Sequence, residues 1–165
     1  MAAATSYGNE AVRNLLKLFK FKKWQRLQEP LGEILIQYFE NCKLKIDNFI
    51  IVPIPLHPDR EAERGFNQSL LLAKTVADFY GLNLNPDILK RIKNTKTQSL
   101  AKNHEEREQN VSGCFSVQSP ELVNGHNVIL VDDVHTSGAT MSEAARILRA
   151  NGAEKIIALV VAKAR

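Results

Sequence analysis

The sequence is poor in cysteine: Cys42 and Cys114 are all it has, and they do not form a CxxC pair. That argues against a disulfide-stapled scaffold and against a zinc site, and it suits a reducing cytosol. Long apolar runs are missing as well, since none reaches the ~18 residues of a membrane-spanning helix. The opening stretch MAAATSYGNEAVRN has acidic and polar residues where a secretory signal needs an apolar core, so the expected location is the cytoplasm. Internal repeats, low-complexity tracts and linker-like stretches are also lacking. The expectation is a single domain over residues 1–165, with a helical N-terminal segment over 1–45 and a core over 46–165. At 44% hydrophobic and 24% charged, the composition is that of an ordinary globular chain, and 165 residues are enough for a sizeable core.

The formal charge of +4 is modest but gathered early, in LLKLFKFKKWQR, which carries Lys17, Lys20, Lys22, Lys23 and Arg26. A basic segment with aromatics inside it suits a nucleic-acid surface. The blander reading, which we prefer, is a solvated helix face with Phe19, Phe21 and Trp24 packed inward.

Val12, Leu15, Leu16 and Phe19 fall at helical spacing, and EPLGEILIQYFENC reads as a second helix with Pro30 in its first turn. NFIIVPIPL reads as a short buried strand running into a proline-rich loop. A helix over 66–80 is stopped by Gly81. The next stretch predicts a strand near Ile88–Ile92, a polar loop and a short helix around His104–Asn110. After it come strands in GCFSV and HNVILV, a helix to Ala150, and a last strand in EKIIALVVAKA. Apolar strands alternating with amphipathic helices predict an α/β fold, with a mostly parallel central sheet flanked by helices. In such sheets ligands bind at the carboxyl ends of strands.

Residues 128–140, VILVDDVHTSGAT, hold the main chemical signal. An apolar strand runs into Asp132 and Asp133, a pair of like charges that is costly to bury without a partner. A turn follows, Thr136-Ser137-Gly138-Ala139-Thr140, and a helix begins at once. Glycine lets a ligand approach the main chain, the helix start presents unpaired N–H groups, and the hydroxyls add donors, which together make a phosphate cradle. The two carboxylates suit the vicinal hydroxyls of a sugar and a hard cation such as Mg²⁺. The composite ligand is a ribose 5-phosphate with a metal nearby. We read His135 as packed beneath the turn, without a catalytic role.

This stretch resembles the thirteen-residue signature of type I phosphoribosyltransferases. The resemblance implies that fold and a site for phosphoribosyl pyrophosphate (PRPP) with Mg²⁺. Asp132 and Asp133 would be the catalytic and metal-contacting residues, and 136–140 would bind the 5-phosphate. Thr136 stands where purine-salvage members carry an acid that contacts the base, which argues against purine salvage of that type.

A second stretch, VPIPLHPDREAERGFNQSLLLA, is similar to the pyrophosphate-binding region of the superfamily and, more narrowly, to the ComF family tied to competence and DNA uptake. Independently of that, Arg60 and Arg64 flank a turn at a strand end, where guanidinium groups suit pyrophosphate oxygens and Gly65 frees the chain for close approach. Asn67 or Gln68 caps the next helix or meets the ligand. A third stretch, KRIKNTKTQSLAKNHEEREQNVSGCF, matches most of the ComF pattern through Arg91, Thr95, Gln98, Leu100, Arg107, Asn110, Val111, Gly113 and Phe115. In related enzymes this region is a hood over the reacting sugar, so Lys96, Gln98 and Arg107 are candidate leaving-group contacts. ComF-type proteins usually begin with a cysteine-rich zinc-binding module, and this chain starts about where that module would end.

Two functions remain open. One is transfer of the phosphoribosyl group to an acceptor, with release of pyrophosphate. The other is a PRPP- or nucleotide-binding adaptor in DNA uptake, with single-stranded DNA or a helicase as partner. A homodimer is left open.

Overall fold

The computed structural model describes residues 2–43, 45–46, 48–94 and 110–164. Short apolar runs make the strands: β1 (Ala2–Ser6), β2 (Phe49–Pro53), β3 (Asn83–Leu84), β4 (Leu89–Arg91), β5 (Phe115–Val117), β6 (Asn127–His135) and β7 (Ile156–Lys163). Between them lie helices α1 (Glu10–Phe19), α2 (Gln28–Asn41), α3 (Pro58–Arg64), α4 (Gln68–Tyr80) and α5 (Ala139–Ala150). Five strands form one sheet in the order β1-β7-β6-β2-β3, with every neighbouring pair parallel. β4 and β5 form a separate antiparallel pair.

Every residue of β2 is buried, as an apolar run in a parallel sheet covered on both faces must be. Side chains alternate along β6, as the strand period requires. Ile129 and Val131 join one core with Leu16 of α1, Leu35 of α2 and Leu72 of α4. Val128 and Leu130 join a second core with Leu148 of α5, Leu89 of β4 and Phe115 of β5. The expected α/β architecture is therefore the one found.

Local chemistry starts and stops the helices near the carboxyl edge. Asn67 Oδ1 accepts from the Ser69 N–H at 3.0 Å and so caps α4. Its Nδ2 donates to the Ile54 carbonyl at 3.1 Å, which ties α4 to the end of β2. His57 caps α3 through Nδ1, and Pro58 occupies the first turn, where its missing N–H has no helical partner to lose.

Several expectations need correction. The proline-rich loop after β2 contains α3, because His57 and Pro58 nucleate a short helix there. Residues 2–6 form a strand on the sheet edge beside β7, although the N-terminal segment reads as helical. Phe19 is fully buried, but Phe21 and Trp24 are 60% and 41% exposed, not packed inward. The reason is local: α1 ends at Phe19, Phe21 is extended, and Trp24 breaks helical geometry inside a 3₁₀ turn over Lys22–Leu27. The helical phase that buries Phe19 does not carry past it. The expected helix around residues 104–110 lies outside the described residues, apart from its last position.

Candidate ligand site at the carboxyl edge of the sheet

The chain leaves β2 for β3 on one side of the sheet and leaves β6 for β7 on the other. Connections that part in opposite directions open a crevice at the strand ends between them. Here it measures about 350 Å³. Asp132, Asp133, Thr136 and Thr140 line one wall, and Arg60 and Arg64 of α3 line the other.

β6 does not end at the acids, as the sequence suggests. It stays paired with β7 through Asp132, Val134 and His135, while its register with β2 ends at Val131. Asp132 and Asp133 thus lie on a strand held by β7 on one side and facing the crevice on the side that β2 has left.

Asp132 is held in place. Its Oδ1 accepts from Ser69 Oγ at 2.7 Å and from the Asp133 backbone N–H at 2.9 Å. Burial, and next the neighbouring Asp133 charge, push the Asp132 carboxyl up to about 7. The hydrogen bonds and the more distant Lys20 oppose that shift without cancelling it. A carboxylate strained in this way gains when a cation or a set of hydroxyl donors arrives.

The turn after the acids depends on Gly138, whose φ of +86° favours glycine. A Cβ there would lie 2.7 Å from His135 Nε2. His135 accordingly sits against the turn, as its reading in the sequence expects. Burial lowers its pKa, and the nearby Lys163 lowers it further. Ser137 Oγ accepts from the Ala139 N–H at 3.4 Å at the start of α5. Ser137, Gly138 and Ala139 form the body of the turn, and Thr136 and Thr140 bring their side chains to the crevice.

Across the crevice, Arg64 Nη1 donates to Gln68 Oε1 at 2.9 Å. Of the two side chains, Asn67 caps α4, and Gln68 accepts from Arg64. Gly65 ends α3 at φ +81° and lines the two flanking cavities, not the crevice itself. Lys96, Gln98 and Arg107 lie outside the described residues.

Three further residues enter the site. Ser69 sits in the FNQS stretch, but its bond to Asp132 spans 63 positions and leaves no local signature. Arg91 of β4 lines the crevice, with its guanidinium 5.5 Å from the centre of the Phe115 ring. Burial lowers the Arg91 pKa. It belongs to the ComF-like third stretch, so a signal existed without a role attached. Lys20 also reaches the crevice, where its Nζ lies 3.8 Å from Asp133 Oδ2.

Residues 67–165 match the phosphoribosyl transferase domain model. The chain is 35% identical over 153 residues to Competence protein F of Haemophilus influenzae and 38% identical over 148 to Competence protein ComFC of Bacillus subtilis. It is 34% identical over 146 residues to the DNA utilization protein YhgH of Escherichia coli. The chain belongs to the phosphoribosyl transferase domain family, in its ComF branch. These alignments cover 89%, 87% and 86% of this ComF-family chain, and 66%, 56% and 63% of the respective relatives. It therefore spans less than two thirds of the length of the curated relatives it matches. Its fold is also that of two solved structures. One is the allosteric regulatory enzyme of purine biosynthesis, with a TM-score of 0.53 at 20% identity over 81% of this chain and 25% of that one. The other is the glutamine PRPP amidotransferase from B. subtilis, with a TM-score of 0.52 at 21% identity over 79% of this chain and 25% of that one.

Proposed function

We propose that the crevice between β2 and β6 binds PRPP together with Mg²⁺ and supports transfer of its phosphoribosyl group to an acceptor. The reading rests chiefly on the acid pair on the one-sided end of β6, followed at once by the Gly138 turn and the start of α5. Asp132 and Asp133 accept from the ribose hydroxyls, and the 136–140 turn takes the 5-phosphate. Arg60 and Arg64 face the pyrophosphate, which leaves with the electrons of the C1–O bond as an acceptor lone pair forms the new bond to C1. As positive charge develops on the sugar, the fixed carboxylates stabilise it without reorganising.

The donor set fits Mg²⁺ in one respect. Asp132 and Asp133 both line the crevice, which gives a metal two neighbouring carboxylates. Mg²⁺ commonly takes one or two carboxylates and completes its shell with substrate phosphates and water. When bound, it supplies charge neutralisation to the departing pyrophosphate.

A second reading is a PRPP-binding adaptor in DNA uptake. It is supported by relatives named for competence and DNA utilization, and by the exposed Phe21 and Trp24 on the basic segment. Calorimetric titration of PRPP with Mg²⁺, with pyrophosphate release followed in parallel, separates the two. Binding with acceptor-dependent release supports transfer, and binding without release supports the adaptor. Absence of binding overturns both.

A further inference from the structure

Lys20 follows the last residue of α1, more than a hundred positions before the acid pair. Its Nζ lies 3.8 Å from Asp133 Oδ2. The Lys20 side chain keeps 41% of its surface exposed, against 16% for Asp133. Lys20 also lines a second cavity of about 610 Å³, which it shares with Arg60, Arg64 and Gly65. Lys20 thus pairs with one of the two acids and lines the cavity that the arginines line.

We propose that Lys20 is a binding residue of this site with two partners: Asp133 in the protein alone, and the polyphosphate of the ligand once a divalent cation takes over Asp133. This rests on the PRPP reading above. The physical case has three parts. A half-exposed pair near 4 Å is a weak tie, so it exchanges readily. Lysine is a compact charge on a flexible four-carbon stem, so its ammonium can move between neighbouring anions while the backbone stays fixed. Two guanidinium groups already border the cavity into which it would turn, so a polyphosphate seated there meets three cations against one carboxylate, Glu63.

A lysine that only fastens α1 to β6 would behave differently. Its loss would lower stability and leave both classes of ligand unaffected. A lysine with the two proposed partners moves their affinities in opposite directions.

The test uses the whole chain as wild type, Lys20→Met, Lys20→Arg and Lys17→Met. Lys17 is an exposed cation in the last turn of α1, three residues before Lys20, so its loss controls for net charge. Mn²⁺ alone is titrated by electron paramagnetic resonance of the free ion, and pyrophosphate with Mg²⁺ is titrated by calorimetry. Lys20→Met is expected to bind Mn²⁺ about threefold tighter, in line with removal of a weak competing pair. It is expected to bind Mg²⁺-pyrophosphate about tenfold more weakly, in line with loss of one charge-assisted contact. Lys20→Arg restores pyrophosphate affinity, and Lys17→Met stays within about twofold of wild type on both probes.

Shifts of Lys20→Met in the same direction, no shift on either probe, or an equal effect of Lys17→Met overturn the proposal. Wild-type protein that binds Mn²⁺ and pyrophosphate but not PRPP refutes the PRPP reading and leaves the role of Lys20 standing on the two probes. Wild-type protein that binds neither probe overturns both.

Discussion

The two walls of the crevice are built differently. The acid wall is the end of β6, the middle strand of the five, where Asp132 is fixed by Ser69 and by the backbone N–H of Asp133. The basic wall is α3, a seven-residue helix with no buried residue, and it presents long side chains from the periphery. On the proposed PRPP reading, the contrast separates two tasks. A sugar's hydroxyls and developing charge need acceptors that do not move. A polyphosphate with many equivalent oxygens tolerates cations on flexible stems. The acid wall is therefore expected to be intolerant of change and the basic wall more forgiving.

The largest expected effect attacks the rigid wall. Asp132→Asn combined with Asp133→Asn should weaken Mg²⁺-PRPP binding by at least about a hundredfold, or about 2.7 kcal/mol. Circular dichroism should remain unchanged, and retained affinity in calorimetry would remove ribose anchoring from the account. Next comes Gly138→Val, which forces a branched side chain into a positive-φ position and against His135. Ribose 5-phosphate affinity should fall about thirtyfold, or about 2 kcal/mol. An unchanged dissociation constant would show that the turn does not form the phosphate cradle.

Arg64→Ala tests the flexible wall. It should weaken pyrophosphate about tenfold and leave ribose 5-phosphate within about twofold, since Arg60 and Lys20 border the same cavity. Equal losses on both ligands would mean that the walls do not divide the ligand as described.

The smallest effect concerns stability. The Asp132 carboxyl is raised to about 7 from a usual value of 3.8, so the folded state binds more protons than the unfolded state between those values. Stability then falls as pH rises from about 4 to about 7 and levels off above. In urea unfolding at pH 8, Asp132→Asn should be more stable than wild type by about 1 kcal/mol, and the gap should close near pH 4. A gap that widens toward acid would contradict this reading of the Asp132 environment.

The acid wall was the legible one. Its two aspartates, its turn and the start of the helix that follows lie within thirteen consecutive residues, 128–140, and short-range chemistry specifies each step. The basic wall was only partly legible. Arg60 and Arg64 stood out as cations at a strand end, but the helix that carries them did not, because a seven-residue helix with no buried face has no periodic signal. Phe21 and Trp24 misled for a related reason: helical phase projects inward only while the helix lasts, and α1 stops at Phe19.

By itself, then, the sequence determined the alternation of strands and helices, the glycine turn after β6, and the two acids that line the crevice. These are decided by neighbours in the chain, through side-chain periodicity, helix capping and the backbone freedom of glycine. Only the tertiary structure decided that β1 would lie beside β7, that β6 would outrun β2 and so expose its acids on one side, and that Ser69, Arg91 and Lys20 would converge on them. Such contacts join residues tens of positions apart. They are set by which apolar faces bury against one another, and no local pattern encodes that choice.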